Sequence, residues 1–264
     1  MELSKIKKIY MAGIKGAGMT AVAEILHARG IEVSGSDTKE KFFTDEVLRR
    51  KKIKFYENFS VRHIPQDADL IIYSTAYSEE NNVEIQEAKK INLPTLSYPE
   101  VLGLLFREKF GIAVCGTHGK TTTTALLAEC LKNAGVDPSA IVGSKVIQWG
   151  GGALAGTGRF FVAEADEYQN KFQYYNPWAV VLTSVDWDHP DFFPTFEKYK
   201  QVFRDFVAKI PRHGFLVVWG DSSDTLEITK SAKCEVIKYG FQEDNDVVIN
   251  QQPTTNNRQP SIVN

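Results

Sequence analysis

The chain has 264 residues, 43% of them apolar and 24% charged, with a formal net charge of −2. That length fits one large domain or two ordinary ones, and the apolar share is enough for a real core. The balanced charge gives no global field for nucleic acid or anionic lipid, no run approaches the roughly 20 apolar residues that span a bilayer, and Met1–Lys8 lacks the apolar stretch of a signal peptide.

The first strand is predicted over Lys8–Ala12, followed by the turn Gly13-Ile14-Lys15-Gly16-Ala17-Gly18. A helix over Met19–Arg29 carries Val22, Ile25 and Leu26 on one face, with Gly30 at its stop position. The strand Ile31–Gly35 then runs into Ser36-Asp37. This is a Rossmann-like βαβ unit, with a glycine-rich first turn and an acidic residue after the second strand. Its glycine order is G-x-x-G-x-G rather than G-x-G-x-x-G, which fits NAD poorly and a nucleotide diphosphate adequately. Asp37 is placed to accept hydrogen bonds from a ribose or base, or to serve as a turn or cap residue.

The alternation continues with a helix over 44–52, a strand over Lys54–Tyr56, and a buried strand over Asp69–Ser74. Ligands in open α/β sheets sit at the carboxyl ends of strands, so Ser74 and Thr75 are expected to line the same crevice as the Gly13–Gly18 loop. A helix over Asn82–Ile91, a strand over Pro94–Ser97 and a helix over Pro99–Glu108 complete the unit. The domain boundary is placed at about residue 108, giving a first domain of 1–108 and a second of 109–249.

The second unit opens with the strand Ile112–Cys115, the loop Gly116-Thr117-His118-Gly119-Lys120-Thr121, and a helix from Lys120 to Ala134. Strand, glycine loop, Lys-Thr and helix form the arrangement that holds a nucleotide triphosphate. Lys120 would reach the β- and γ-phosphates, and the Thr121 hydroxyl would bind Mg²⁺. Gly116, Thr117, His118, Gly119 and Thr122 would complete the ATP cradle. The long phosphate-loop pattern needs a glycine five positions before the Gly-Lys pair, and Val114 stands there. The shorter Gly-x-x-Gly-Lys-Thr form points away from GTPases and generic ATPases.

Beyond it, Gly150–Gly158 reads as a loop. The strand Phe160–Ala163 ends in Glu164-Ala165-Asp166-Glu167. Carboxylates at such a strand end take Mg²⁺ or its water, with Glu164 as first choice. Asp166 has the parity of Glu164 in an extended segment and would point the same way. The strand Ala179–Thr183 leads to Asp186-Trp187-Asp188-His189-Pro190-Asp191, where His189 and hard oxygen ligands can share a divalent ion. A helix over Phe196–Lys209, ended by Pro211, and a strand over Phe215–Trp219 follow. The three cysteines Cys115, Cys130 and Cys234 have no metal-ligand spacing and read as reduced thiols of a cytoplasmic protein, with Cys115 a buried filler.

Gly116–Thr124, Glu164–Tyr168 and Asp188–Asp191, in that order, resemble the Mur ligase family; with Gly13–Met19 and Ser34–Asp37 the likeness covers about residues 5–245. It implies an α/β chain with a Rossmann-like UDP-substrate domain followed by a P-loop ATP-binding central domain. It also implies an ATP-dependent amide ligase of peptidoglycan synthesis, using Mg²⁺ and taking UDP-N-acetylmuramate and L-alanine as substrates. ATP would phosphorylate the lactyl carboxylate, and the amine would displace phosphate. By the matched motifs Lys120, His118 and His189 are the catalytic set. Thr121 and Glu164 would bind one Mg²⁺, and His189 a second. Gly13, Gly16 and Gly18 would hold the diphosphate, with Asp37, Thr38, Ser74 and Thr75 near the uridine. A sibling that recycles muramyl tripeptide shares the Glu164–Tyr168 run, but the compact stretch Gln169–Pro177 looks more like the alanine-adding member.

Val217–Asp221 and Tyr239–Phe241 still match the family's central domain. Residues 250–264 are polar, proline-containing and aromatic-free, and are expected to be disordered. The family's His-Asn-x-x-Asn segment and C-terminal domain are not found, so the central domain is expected to be incomplete. A separate polypeptide supplying the missing domain would be the implied partner. Without one, the chain would bind UDP-sugar and ATP without ligating them. A third reading, an NAD-dependent oxidoreductase, is opposed by the glycine order and the second phosphate loop.

Overall fold

Short apolar strands that alternate with helices pair in parallel, because each helix returns the chain to the edge where the strand began. The computed structural model, which describes residues 1–250, builds two sheets in this way. The first has strands β1 (Lys8–Ala12), β2 (Glu32–Ser36), β3 (Lys54–Tyr56), β4 (Leu70–Tyr73) and β5 (Thr95–Ser97). Their order is β3-β2-β1-β4-β5, all parallel. Helices α1 (Ala17–Ala28), α2 (Phe43–Arg50), α3 (Val83–Lys90) and α4 (Tyr98–Glu108) connect and cover them. Strand order reverses beside β1, which opens a crevice at its carboxyl end. The register puts Ala12 level with both Ser36 and Tyr73, so Gly13, Asp37 and Ser74 emerge together at that crevice.

The second sheet contains β6 (Phe110–Cys115), β7 (Ser139–Val146), β8 (Gly151–Leu154), β9 (Phe160–Glu164), β10 (Ala179–Leu182), β11 (Phe215–Trp219), β12 (Glu235–Gly240) and β13 (Val247–Val248). The order is β13-β12-β11-β10-β6-β9-β7-β8, parallel except for the β7–β8 hairpin. Helices α5 (Lys120–Asn133), α6 (Phe196–Val207) and α7 (Ser223–Thr229) belong to this unit. β6 lies between β10 and β9, with Cys115 opposite Leu182 and Val114 opposite Glu164. The segments that follow these three strands therefore meet at one end of the sheet.

Two readings of the sequence are corrected here. Part of the expected loop Gly150–Gly158 is strand β8, paired with a strand β7 that periodicity does not signal. The glycines serve packing, since a Cβ on Gly151 would lie 2.6 Å from Glu24 Oε1 of α1. Accordingly α1 is buried on every side from Met19 to Leu26, not only along Val22, Ile25 and Leu26, because the hairpin covers its outer face. Residues 251–264 of the segment expected to be disordered lie outside the described residues.

This contact buries a carboxylate. Glu24 is 3% exposed, and neither of its carboxylate oxygens has a hydrogen-bond partner among the described residues. Lys51 Nζ stands 3.8 Å away. Burial pushes the Glu24 carboxyl up, against weaker pulls from Lys51, Arg50 and the Gly152 N–H. A carboxyl raised in the folded state binds more protons there than in the unfolded chain, so its support is complete below the unfolded value and is lost as pH rises through the folded one. Glu24→Gln should therefore match the parent protein in acid and exceed it near neutrality, by on the order of 1–3 kcal/mol. Thermal unfolding of both proteins from mildly acidic to neutral pH reads this. A Gln variant that is less stable at neutral pH would show that the Lys51 pairing outweighs desolvation.

Candidate nucleotide and metal sites

At the first crevice, Gly13 adopts φ 83, a left-handed turn that lets its N–H and that of Ile14 donate to Ser36 O at 2.8 and 3.1 Å. The Lys15 N–H donates to Asp37 Oδ2 at 2.7 Å, while Oδ1 accepts from the Thr38 N–H at 2.8 Å and the Tyr77 hydroxyl at 3.3 Å. Asp37 is buried, and both of its carboxylate oxygens are engaged by the protein, which makes it an anchor of the glycine loop. Burial, with Asp37 adding to it, pushes the Tyr77 hydroxyl up to about 12. Gly16 caps α1, so the helix N-terminus opens onto the loop. Ser74 abuts Gly13, and Thr38 and Thr75 are exposed nearby. Gly18 lies inside α1, where a Cβ would sit 2.7 Å from the Tyr98 hydroxyl. Packing accounts for that glycine. Lys15 is also buried, its ammonium donating to the Thr38 and Glu40 carbonyls at 3.0 Å each and bracing the segment after β2 that begins with Asp37.

In the second unit, Gly119 takes φ 81 as the residue before α5, and Lys120 begins the helix. The loop is stitched to the segment after β10: the Thr117 N–H donates to Ser184 O at 2.9 Å, the His118 N–H to Ser184 Oγ at 3.1 Å, and the Thr183 hydroxyl to His118 O at 2.6 Å. The Lys120 ammonium curls over the loop, donating to Gly116 O at 2.5 Å and Thr117 O at 3.3 Å, with Glu167 Oε2 at 3.6 Å. The His118 side chain is exposed, its Nε2 4.0 Å from Asp186 Oδ2. Thr122 is exposed in the first helical turn, whose N–H groups have no partner within the helix. Cys115 is fully buried at the end of β6.

Glu164 closes β9 and accepts from the Gly143 N–H at 2.9 Å. Burial pushes its carboxyl up, while the Gly143 N–H, the Thr121 hydroxyl and Lys120 pull the other way. The structure thus brings Thr121 and Glu164 together at the mouth of the phosphate loop.

The chain does not stay extended after Glu164, and parity fails. It enters a short helical turn, Tyr168–Tyr174, in which Gln169 and Asn170 both have φ 56. Asp166 is taken by Lys171 Nζ at 2.5 Å and the Tyr168 N–H at 3.3 Å. Glu167 turns inward instead. It is wholly buried, Oε1 accepts from the Tyr199 hydroxyl at 2.8 Å, and Oε2 has no hydrogen-bond partner among the described residues. His189, at φ 53, completes a cluster with Asp166 and Glu167 whose ligand atoms all lie within 4.8 Å of one another. Left-handed backbone at three non-glycine residues is a strain that persists only where the surroundings enforce it. The donor set fits a hard divalent cation, and the unpartnered Glu167 oxygen is the clearest sign of that fit.

Sequence reasoning missed Glu167, Tyr199 and Tyr98. Tyr98, at the head of α4, packs on Gly18 of the first crevice, and burial, with Glu164 and Asp166 adding to it, pushes its hydroxyl far up. It stands between the two candidate sites.

A family model described as the Mur ligase middle domain matches residues 114–263, and one described as the Mur ligase family catalytic domain matches residues 8–110. The chain belongs to the Mur ligase family. It is 42% identical over 240 residues to the UDP-N-acetylmuramate–L-alanine ligase of Desulfitobacterium hafniense, covering 90% of this chain and 52% of that protein. The enzyme of the same name from Aquifex aeolicus is 41% identical, with coverage of 90% and 52%. The chain thus spans about half the length of the curated relatives it matches. Among solved structures, a UDP-N-acetylmuramate:L-alanyl-γ-D-glutamyl-meso-diaminopimelate ligase from Neisseria meningitides superposes with a TM-score of 0.80 at 28% identity, covering 91% of this chain and 79% of that one. The UDP-N-acetylmuramate–alanine ligase of Thermotoga maritima gives 0.76 at 28% identity, covering 88% and 52%. The mixed α/β architecture with largely parallel sheets is that of Mur ligases.

Proposed function

We propose that the protein acts in the ATP-dependent ligation of L-alanine to the lactyl carboxylate of UDP-N-acetylmuramate in the cytoplasm, this chain supplying the UDP-sugar and MgATP sites. The observation that carries the reading is the phosphate loop facing a cluster of carboxylates and a histidine, with Glu167 Oε2 buried and without a hydrogen-bond partner among the described residues. The names of relatives at 42% and 41% identity support the choice of alanine as the amino acid. The tripeptide-recycling reading has the TM-score of 0.80 in its favour, but the identity there is 28%.

In this reading the chain's residues divide the work. Lys120 leaves the Gly116 carbonyl and turns to the β- and γ-phosphates. Gly116, Thr117, His118, Gly119 and Thr122 shape the cradle, while Thr121 and Glu164 hold one Mg²⁺ and His189, with Glu167, a second. Bound Mg²⁺ neutralises charge where the carboxylate and the γ-phosphate, both anions, must approach. His118, exposed at the loop, reaches toward the muramyl group. The Gly13–Gly16 turn and the α1 N-terminus hold the diphosphate, with Thr38, Ser74 and Thr75 toward the uridine and Asp37 fixing the turn. The carboxylate gains a phosphoryl group from ATP, and the amine then displaces phosphate to leave an amide. The half of the relatives' length not spanned here would complete that second step, on the same or a separate polypeptide.

Calorimetry tests the reading. The protein should bind UDP-N-acetylmuramate and MgATP once each, without mutual competition. Stabilisation by NAD with no response to UDP-N-acetylmuramate would overturn it.

A further inference from the structure

Tyr199 lies in the first turns of α6, fully buried, and its ring packs edge-on against Phe193 and Phe203. Its hydroxyl is the one polar atom of the side chain and reaches two functional segments at once. It donates to Glu167 Oε1 at 2.8 Å and lies 3.1 Å from Thr117 Oγ1 of the phosphate loop. The proton accounting fixes the direction, because an ionised carboxylate only accepts, so the single Tyr199 proton goes to Glu167. The phenolic oxygen is then left as an acceptor facing Thr117. The Thr117 hydroxyl in turn accepts from the Asp186 N–H at 2.8 Å and lies 2.9 Å from Asp186 O. One hydroxyl therefore joins the carboxylate motif, the phosphate loop and the segment leading to His189.

We propose that Tyr199 is a positioning residue: it pins Glu167 by Oε1 so that Oε2 is presented to a divalent cation bound beside the nucleotide phosphates. This rests on the proposed MgATP site. Two observations point the same way. Among the described residues Glu167 Oε2 has no hydrogen-bond partner although it is buried, and its nearest cation is the Lys120 ammonium at 3.6 Å, the group a bound triphosphate would draw away. Lys171 occupies Asp166, so Glu167 and His189 are the members of the cluster free to ligate.

Tyr199→Phe keeps the ring and its packing and removes only the hydroxyl. Mn²⁺ binding in the presence of saturating ATP, followed by electron paramagnetic resonance, should weaken roughly tenfold, the effect of losing one charge-assisted hydrogen bond. Metal-free ATP binding and the UDP-N-acetylmuramate affinity should stay within about twofold of the parent. A structural role alone would lower the unfolding temperature and leave Mn²⁺ binding unchanged. Glu167→Gln should weaken Mn²⁺ binding by itself, and adding Tyr199→Phe to it should cost little more, because both changes strike one unit. Equal Mn²⁺ affinity in the parent and Tyr199→Phe, or full additivity with Glu167→Gln, would overturn the role of Tyr199 while leaving the site reading intact. Absence of Mn²⁺–ATP binding by the parent protein would overturn both.

Discussion

Lys120→Ala should lower MgATP affinity by roughly 100-fold or more, the expected result of removing charge-assisted contacts to two phosphate groups. The same variant should bind UDP-N-acetylmuramate as the parent does, since the first crevice is built on a separate sheet. In the ligand-free protein the ammonium already has work to do: it satisfies the Gly116 and Thr117 carbonyls and stands beside the wholly buried Glu167. Its loss leaves that carboxylate without its nearby cation, so unfolding stability should fall by about 1–3 kcal/mol. Binding and stability must be read separately, and calorimetry below the variant's own unfolding temperature separates them. Unchanged MgATP affinity in a folded Lys120→Ala protein would remove the phosphate loop from the nucleotide site.

The parts of this site legible in the sequence are those whose geometry is local. A glycine before Lys-Thr after an apolar strand dictates a turn into a helix N-terminus, and Gly119 and Lys120 stand there. The ends of β1, β2 and β4 converge because strand order reverses at β1, so Gly13, Asp37 and Ser74 could be grouped from the alternation alone. What Asp37 does was not readable, because an acidic residue after a strand looks the same whether it faces a ribose or two backbone N–H groups. Glu167 and Tyr199 were out of reach for a different reason. Their meeting depends on the left-handed turn at Gln169 and Asn170 and on a helix that begins about thirty residues later. No periodicity encodes that turn. The glycine run 150–152 misled because its causes are distant in the chain or in the hairpin itself: Gly150 holds φ 68 against Arg50 of α2, Gly151 meets Glu24 of α1, and Gly152 lies against the Val142 carbonyl of β7.

The reciprocal of the lysine change is Gly13→Ala, and its effect should fall on the other ligand. Gly13 holds φ 83, where an L-residue with a Cβ is strained. A Cβ there would also lie 2.7 Å from Ser74 Cβ and 2.8 Å from the Tyr77 ring, and Tyr77 hydrogen-bonds Asp37. The loop cannot keep its bonds to Ser36 and also admit the methyl group. It must move outward, carrying the Ile14 and Lys15 N–H groups away from Ser36 and Asp37. UDP-N-acetylmuramate affinity should fall by roughly tenfold to a hundredfold, and stability by about 1–3 kcal/mol, with MgATP affinity within about twofold of the parent. Tyr98 gives this comparison its edge, because its ring touches Gly18 on one side and it senses Glu164 on the other. If Gly13→Ala and Lys120→Ala each weakened both ligands equally, the two crevices would be one coupled site joined through Tyr98, and the division of nucleotides between two sheets would fail. If each variant loses its own ligand alone, the two sites are independent until both are filled. In the proposed reaction the lactyl carboxylate and the γ-phosphate would then meet only when both substrates are bound, as transfer of a phosphoryl group away from water requires.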